Sequence, residues 1–265
     1  MEEVFLQMWG PNRSFLVRDH EFYVQQAKQR LLDPFDEKSM LADSQRHEQA
    51  WLEERSGRFD PDRDDEGQIY EDAEQEKCLL YASLEGLRDN TRLSIIAGMF
   101  HEWEKQFRDW LGRNLGELGL GEHTHKAIWK SDFEDLMGLM TACGWPVKGQ
   151  DWYDDLNLCR LVVNVYKHGN GKSRNDLSSA KASLLKWNGK FSAYWSPSLD
   201  YSTLMVSDAD LDAFAASILR FWQEIPDNIY FSRVSALPRW LSKEMEKDHH
   251  SHRVLSGFRP DQLAR

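Results

Sequence analysis

Seven apolar side chains, Ile96, Met99, Phe100, Trp103, Phe107, Trp110 and Leu111, recur at the spacing of one helix face. A face carrying that many large rings must bury itself against other helices, so this one stripe constrains the fold more than any other feature. Glu102, Lys105 and Arg108 fall on the opposite side and are assigned to solvent. Similar periodicity predicts helices near 13–33, 39–56, 70–113, 131–143, 151–168, 174–187, 208–224 and 235–247. The expected fold class is mainly α, a helical bundle. A small β-hairpin is expected near 190–206, where aromatic and β-branched residues flank Ser196, Pro197 and Ser198.

The length of 265 residues suffices for a large core, and 11 Trp and 13 Phe supply its anchors. Two organisations fit. One has an N-terminal helical arm over 1–60, an acidic loop over 61–74 and a bundle over 75–265; the other is a single domain over 1–265. Asp62, Asp64, Glu66, Gly67 and Ile69 resemble the start of a calcium loop, but the twelfth position is Ala73, where a bidentate carboxylate is required. The net charge of −11 argues against general attraction to phosphate backbones, so nucleic-acid binding would need a local basic cleft. Cys78, Cys143 and Cys159 are distant and outside CxxC spacing, which suggests reduced thiols and a cytoplasmic protein. With no apolar run of about 18 residues, no membrane is expected as a partner.

The stretch CRLVVNVYKHGNGKS, residues 159–173, ends like a phosphate-binding loop. A Walker loop needs glycine five positions before its Gly-Lys pair, and Tyr166 stands there. The stretch is therefore read as a helix ending at His168, a turn through Gly169, Asn170 and Gly171, and a second helix capped by Ser173 and Asp176. On the first helix Arg160, Asn164, Lys167 and His168 fall within an arc of roughly 100°, surrounded by Leu158, Leu161, Val162, Val163, Val165 and Tyr166. Histidine transfers protons near neutral pH, arginine neutralises phosphate, and asparagine can orient an imidazole. The competing reading is a buried network in which Asn164 bonds His168 and Arg160 pairs with an acid such as Glu104. His101 and Glu104 read as a simple i, i+3 pair, His123 and His125 as loop residues, and His249, His250 and His252 as a polar tail.

Arg160, Asn164 and His168, the KHG ending and the upstream helix IIAGMFHEWEKQFRDWL resemble the HEPN superfamily of helical-bundle proteins. Members typically carry Arg, then four to six residues, then His; here seven residues separate Arg160 from His168, and Val163 precedes Asn164 where the tight form has Arg. The resemblance implies a metal-independent endoribonuclease of toxin, abortive-infection or antiviral-defence type, without cofactor, leaving 2′,3′-cyclic phosphate ends. It implies His168, Arg160 and Asn164 as catalytic residues, with Lys167 and Lys172 binding substrate. The implied partners are an RNA substrate, a second protomer completing a composite site, and an antitoxin or other protein partner. The alternative is a HEPN-like interaction or assembly module without catalysis.

Overall fold

A computed structural model describes residues 2–185 and 203–256, with side chains to His249. The fold is mainly α with one small two-stranded antiparallel sheet. Its elements are β1 (Val4–Gln7), α1 (Gly10–Ala27), α2 (Glu37–Ser56), α3 (Glu66–Glu117), α4 (Glu122–Lys130), α5 (Phe133–Ala142), α6 (Tyr153–His168), α7 (Lys172–Lys181), α8 (Asp208–Glu224), β2 (Asn228–Tyr230) and α9 (Arg239–Ser256). The acidic stretch 61–74 is helical from Glu66 onward, so no calcium loop forms there, and Ala73 is buried in α3. Residues 190–202 of the expected hairpin lie outside the described residues, and 203–206 contain no strand. The observed sheet pairs β1 with β2, Leu6 opposite Ile229 and Gln7 opposite Asn228.

The chain divides into two compact units. The first comprises 1–21, 99–160 and 213–265. Every residue of its part of the stripe from Met99 to Leu111 is at most 3% exposed. Trp103, Phe107 and Trp110 form a ladder of near-parallel rings at 5.9 and 6.0 Å, because their four- and three-residue spacings return each ring to the same face. Phe221 of α8 meets this ladder edge-on, 5.1 Å from Trp103 and 4.9 Å from Phe107, and also touches Trp152. Phe133 of α5 joins α3 to the start of α6 through Phe100 at 6.5 Å and Tyr153 at 6.2 Å.

Polar groups in this core are mostly satisfied. Trp110 Nε1 donates to the Gln7 carbonyl at 3.0 Å and Trp152 Nε1 to Glu224 at 2.7 Å, whereas Trp103 Nε1 and Trp222 Nε1 are buried without a partner among the described residues. Arg108 is buried too, which corrects its assignment to solvent: its guanidinium donates to Glu104 at 2.7 Å and to the Ile128 carbonyl at the end of α4. The position that periodicity marks as polar is thus used to tie two helices together. Arg13 of α1 closes the end of α8, donating to the Gln223 and Ile225 carbonyls at 2.6 Å each.

At the end of α5, Gly144 has φ +88° and the Trp145 amide donates back to the Met140 carbonyl at 3.0 Å. A Cβ on Gly144 would lie 3.2 Å from both the Cβ and the carbonyl oxygen of Arg233. Gly144→Ala is expected to cost about 1–2 kcal/mol and lower the melting temperature by a few degrees. Gly149→Ala, where nothing lies within 4 Å, should be close to neutral in the same calorimetric comparison.

The second unit comprises 22–98 and 161–212. Leu93, Ile95, Ile96, Leu161, Val162, Val165, Leu177 and Leu211 are all buried in it. Arg92 is buried and paired with Asp208 at 2.7 Å and Asp89 at 2.9 Å, while Ser94 and Tyr166 hydrogen-bond at 2.8 Å between α3 and α6. Ser207 and Asp210 form a capping box at the start of α8, with reciprocal bonds of 3.0 and 3.1 Å. Asp36 caps α2 by accepting from the Lys38 and Ser39 amides. The paired stretches of α2 and early α3 bury little by comparison; Met40, Ser44 and Ala73 are their buried residues up to Thr91.

Candidate functional site

α6 places acids, Asp154 and Asp155, in its first turn and bases, Lys167 and His168, in its last, as the helix dipole favours. Leu156, Cys159, Leu161, Val162, Val163 and Val165 are at most 2% exposed, so one side of α6 is locked into core. Burial drives the Cys159 thiol far above its ordinary pKa and the Cys143 thiol to about 12, which leaves both as inert packing groups. The helix ends where the sequence requires. Gly169 takes φ +68° and its amide bonds the Val165 carbonyl at 2.8 Å. α7 then begins at Lys172 with Gly171 as its N-cap and no side-chain cap, so Ser173 and Asp176 do not close it as expected. Residues 153–181 form a helix, a turn and a helix, the local form expected once the phosphate loop is rejected.

The four stripe residues have different surroundings. In the first unit Arg160 is half-buried and held three ways: its guanidinium donates to Asn157 Oδ1 at 2.7 and 3.0 Å, stacks 5.1 Å over the Phe133 ring, and stands 4.0 Å from Glu134. Glu134 also pairs with Lys148 at 3.1 Å. The Tyr153 hydroxyl in the same cluster is raised above its ordinary pKa, first by burial and then by Glu134, with Lys148 and Arg160 acting against both. The acid near Arg160 is therefore Glu134, while Glu104 is bound by Arg108 at 2.7 Å and approached by His101 at 3.9 Å.

In the second unit Asn164 is half-buried, and Lys167 and His168 are exposed. Among the described residues no side-chain hydrogen bond joins Asn164 to His168. The internal Asn164–His168 bond of the buried-network reading is thus absent, and His168 projects from the helix end beside Gly169. Lys172, the first residue of α7, is also exposed.

Sequence reasoning missed Asn157, although its three-residue spacing from Arg160 is a readable signal. It also missed a depression of about 410 Å³ in the first unit lined by His123, Lys126, Lys130, Asp135, Trp240 and Glu244. Its lysine at 126 is already neutralised by Glu122 at 2.6 Å, and its acids offset the remaining charge. Among the described residues no group of three His, Cys, Asp or Glu side chains has metal-binding geometry, and no helix is long and apolar enough to cross a membrane. The chain matches no family model, no curated protein and no solved structure.

Proposed function

We propose that the protein is a metal-independent endoribonuclease of HEPN type, acting as a homodimer on RNA in a toxin, abortive-infection or antiviral role. The observation that carries this reading is His168: an exposed imidazole without a hydrogen-bond partner among the described residues, at the tip of a helix whose other side is locked into core. Histidine is the side chain suited in general to moving protons in such chemistry. In the reaction a base removes the proton of a ribose 2′-OH, whose oxygen attacks the adjacent phosphorus. The P–O5′ bond breaks, an acid protonates the leaving oxygen, and a 2′,3′-cyclic phosphate remains. His168 takes one of these proton-transfer roles and its counterpart in a second protomer the other. Asn164, not bonded to His168 in the free protein, would orient the imidazole only once substrate is bound, and Arg160, Lys167 and Lys172 would neutralise phosphate. An antitoxin or other protein partner would regulate such an activity.

The alternative, a HEPN-like interaction module without catalysis, is favoured by one specific observation. Arg160 is already engaged by Asn157 and Phe133, and phosphate would have to compete with both. Incubating the protein with single-stranded RNA in EDTA, and assaying for cyclic phosphate ends, separates the two. Light scattering at micromolar concentration is expected to give the mass of a dimer. A monomer would remove the second histidine on which the two-sided mechanism depends.

A further inference from the structure

We propose that the tip of the α2–α3 hairpin is a docking site for a protein segment presenting a large apolar side chain flanked by lysine or arginine. The tip holds a depression of about 390 Å³ lined by Leu52, Phe59, Ile69 and Tyr70, with Glu53 and Glu66 among its lining residues. Phe59 is 37% exposed and Tyr70 58%, so large aromatic surface remains wet where two helices alone cannot cover it. The loop that frames the depression is hydrogen-bonded within itself. The Asp60 amide donates to Asp64 at 3.0 Å, the Asp64 amide to the Asp60 carbonyl at 2.8 Å, and the Gly67 amide to Asp65 at 2.8 Å. Little loop ordering would be needed on binding.

Charge decides the kind of occupant. Residues 51–70 contain seven carboxylates and three arginines. Each arginine is engaged locally: Arg55 lies 5.2 Å over the Trp51 ring, Arg58 pairs with Glu54 at 3.1 Å, and Arg63 with Asp64 at 3.2 Å. Glu53 and Glu66 are exposed and in no ion pair with a described residue, so the apolar depression has acids to spare. Such a surface repels RNA, anionic membranes and the same tip of a second copy. It attracts a cationic segment, whose apolar side chain gains by leaving water in the depression while its lysines meet the acids.

The test uses the full chain and a short fluorescent peptide with tryptophan and leucine at its centre and lysines on both sides. Anisotropy should show saturable binding that weakens about tenfold in Tyr70→Ser, a loss of about 1.4 kcal/mol. Binding should also weaken in the double variant Glu53→Gln, Glu66→Gln, with loss of most of its salt dependence. Circular dichroism checks that the helices remain. A peptide with glutamates in place of the lysines, or serines in place of its apolar centre, should bind far more weakly. Failure of the lysine peptide to bind, equal binding to Tyr70→Ser, or equal binding of the glutamate peptide overturns the proposal. Self-association that disappears in Tyr70→Ser overturns it as well, and assigns the tip to a second copy.

Discussion

Asp248→Ala should lower the melting temperature by about 2–12 °C, although the residue lies in a run, KDHHSHR, that looks like a solvated tail. The run is part of α9, and Asp248 is 3% exposed. Its Oδ1 accepts from the His123 amide at 3.1 Å, and its Oδ2 from the Thr124 amide at 2.9 Å and the Thr124 hydroxyl at 2.6 Å. The N-cap of α4 is Gly121, which has no side chain to cap the helix, so α9 supplies the cap from across the sequence. Truncation leaves these donors without an acceptor in a place water enters poorly, at about 1–3 kcal/mol. For a chain of this size each kcal/mol is worth about 2–4 °C.

The same carboxylate gives a pH signature. Burial works to raise its pKa, but the bonds from Thr124, His123 and Gly121 outweigh that effect and hold it below the ordinary carboxylate range. A folded-state pKa below the unfolded one means the stabilisation is complete above the unfolded value, about 3.9, and is lost as pH falls through the folded value. Asp248→Asn keeps the shape and removes the charge. Its deficit against the wild type should be full at pH 7 and should close in strongly acid buffer. Equal melting temperatures at pH 7 would mean that α4 does not depend on this cap.

Legibility differed with the kind of signal. The buried stripe on α3 was readable because seven large side chains at helical spacing have one low-energy arrangement, and the glycine that stops α6 because its backbone is one other residues avoid. α4 was missed: EHTHKAIWK is short, mostly polar and preceded by Gly116, Gly119 and Gly121, and its cap comes from a residue 124 positions after Thr124. Asp248 and Arg108 failed for one reason, since residue type assigns both to solvent and only tertiary partners bury them. Around the candidate site, the arc of Arg160, Asn164, Lys167 and His168 follows from helix geometry. Which members are engaged does not, because Phe133 and Glu134 reach Arg160 from a different helix.

That division sets the sharpest test of the proposed activity, because the stripe residues should now separate. His168→Ala removes an exposed side chain at a helix end, so it should leave the melting temperature within about 1 °C while reducing RNA cleavage in EDTA by at least about a hundredfold. Arg160→Ala should behave differently. It strips a half-buried guanidinium from Asn157 and from the face of Phe133, and should cost about 1–2 kcal/mol of stability, seen as a fall of several degrees, besides any loss of cleavage. Arg160→Lys sharpens the contrast: it keeps the charge but loses the fork that bonds Asn157 Oδ1 from two nitrogens. Should cleavage depend on phosphate neutralisation alone, Lys retains part of it while the melting temperature still drops. Lys172→Ala, at an exposed first position of α7, should leave stability unchanged and weaken RNA binding modestly. Full cleavage by His168→Ala alongside its loss in Lys172→Ala would transfer the chemistry from the α6 stripe to the turn. No cleavage by the wild type on any single-stranded RNA, together with a stability loss in Arg160→Ala, would leave the stripe as a structural device of the bundle.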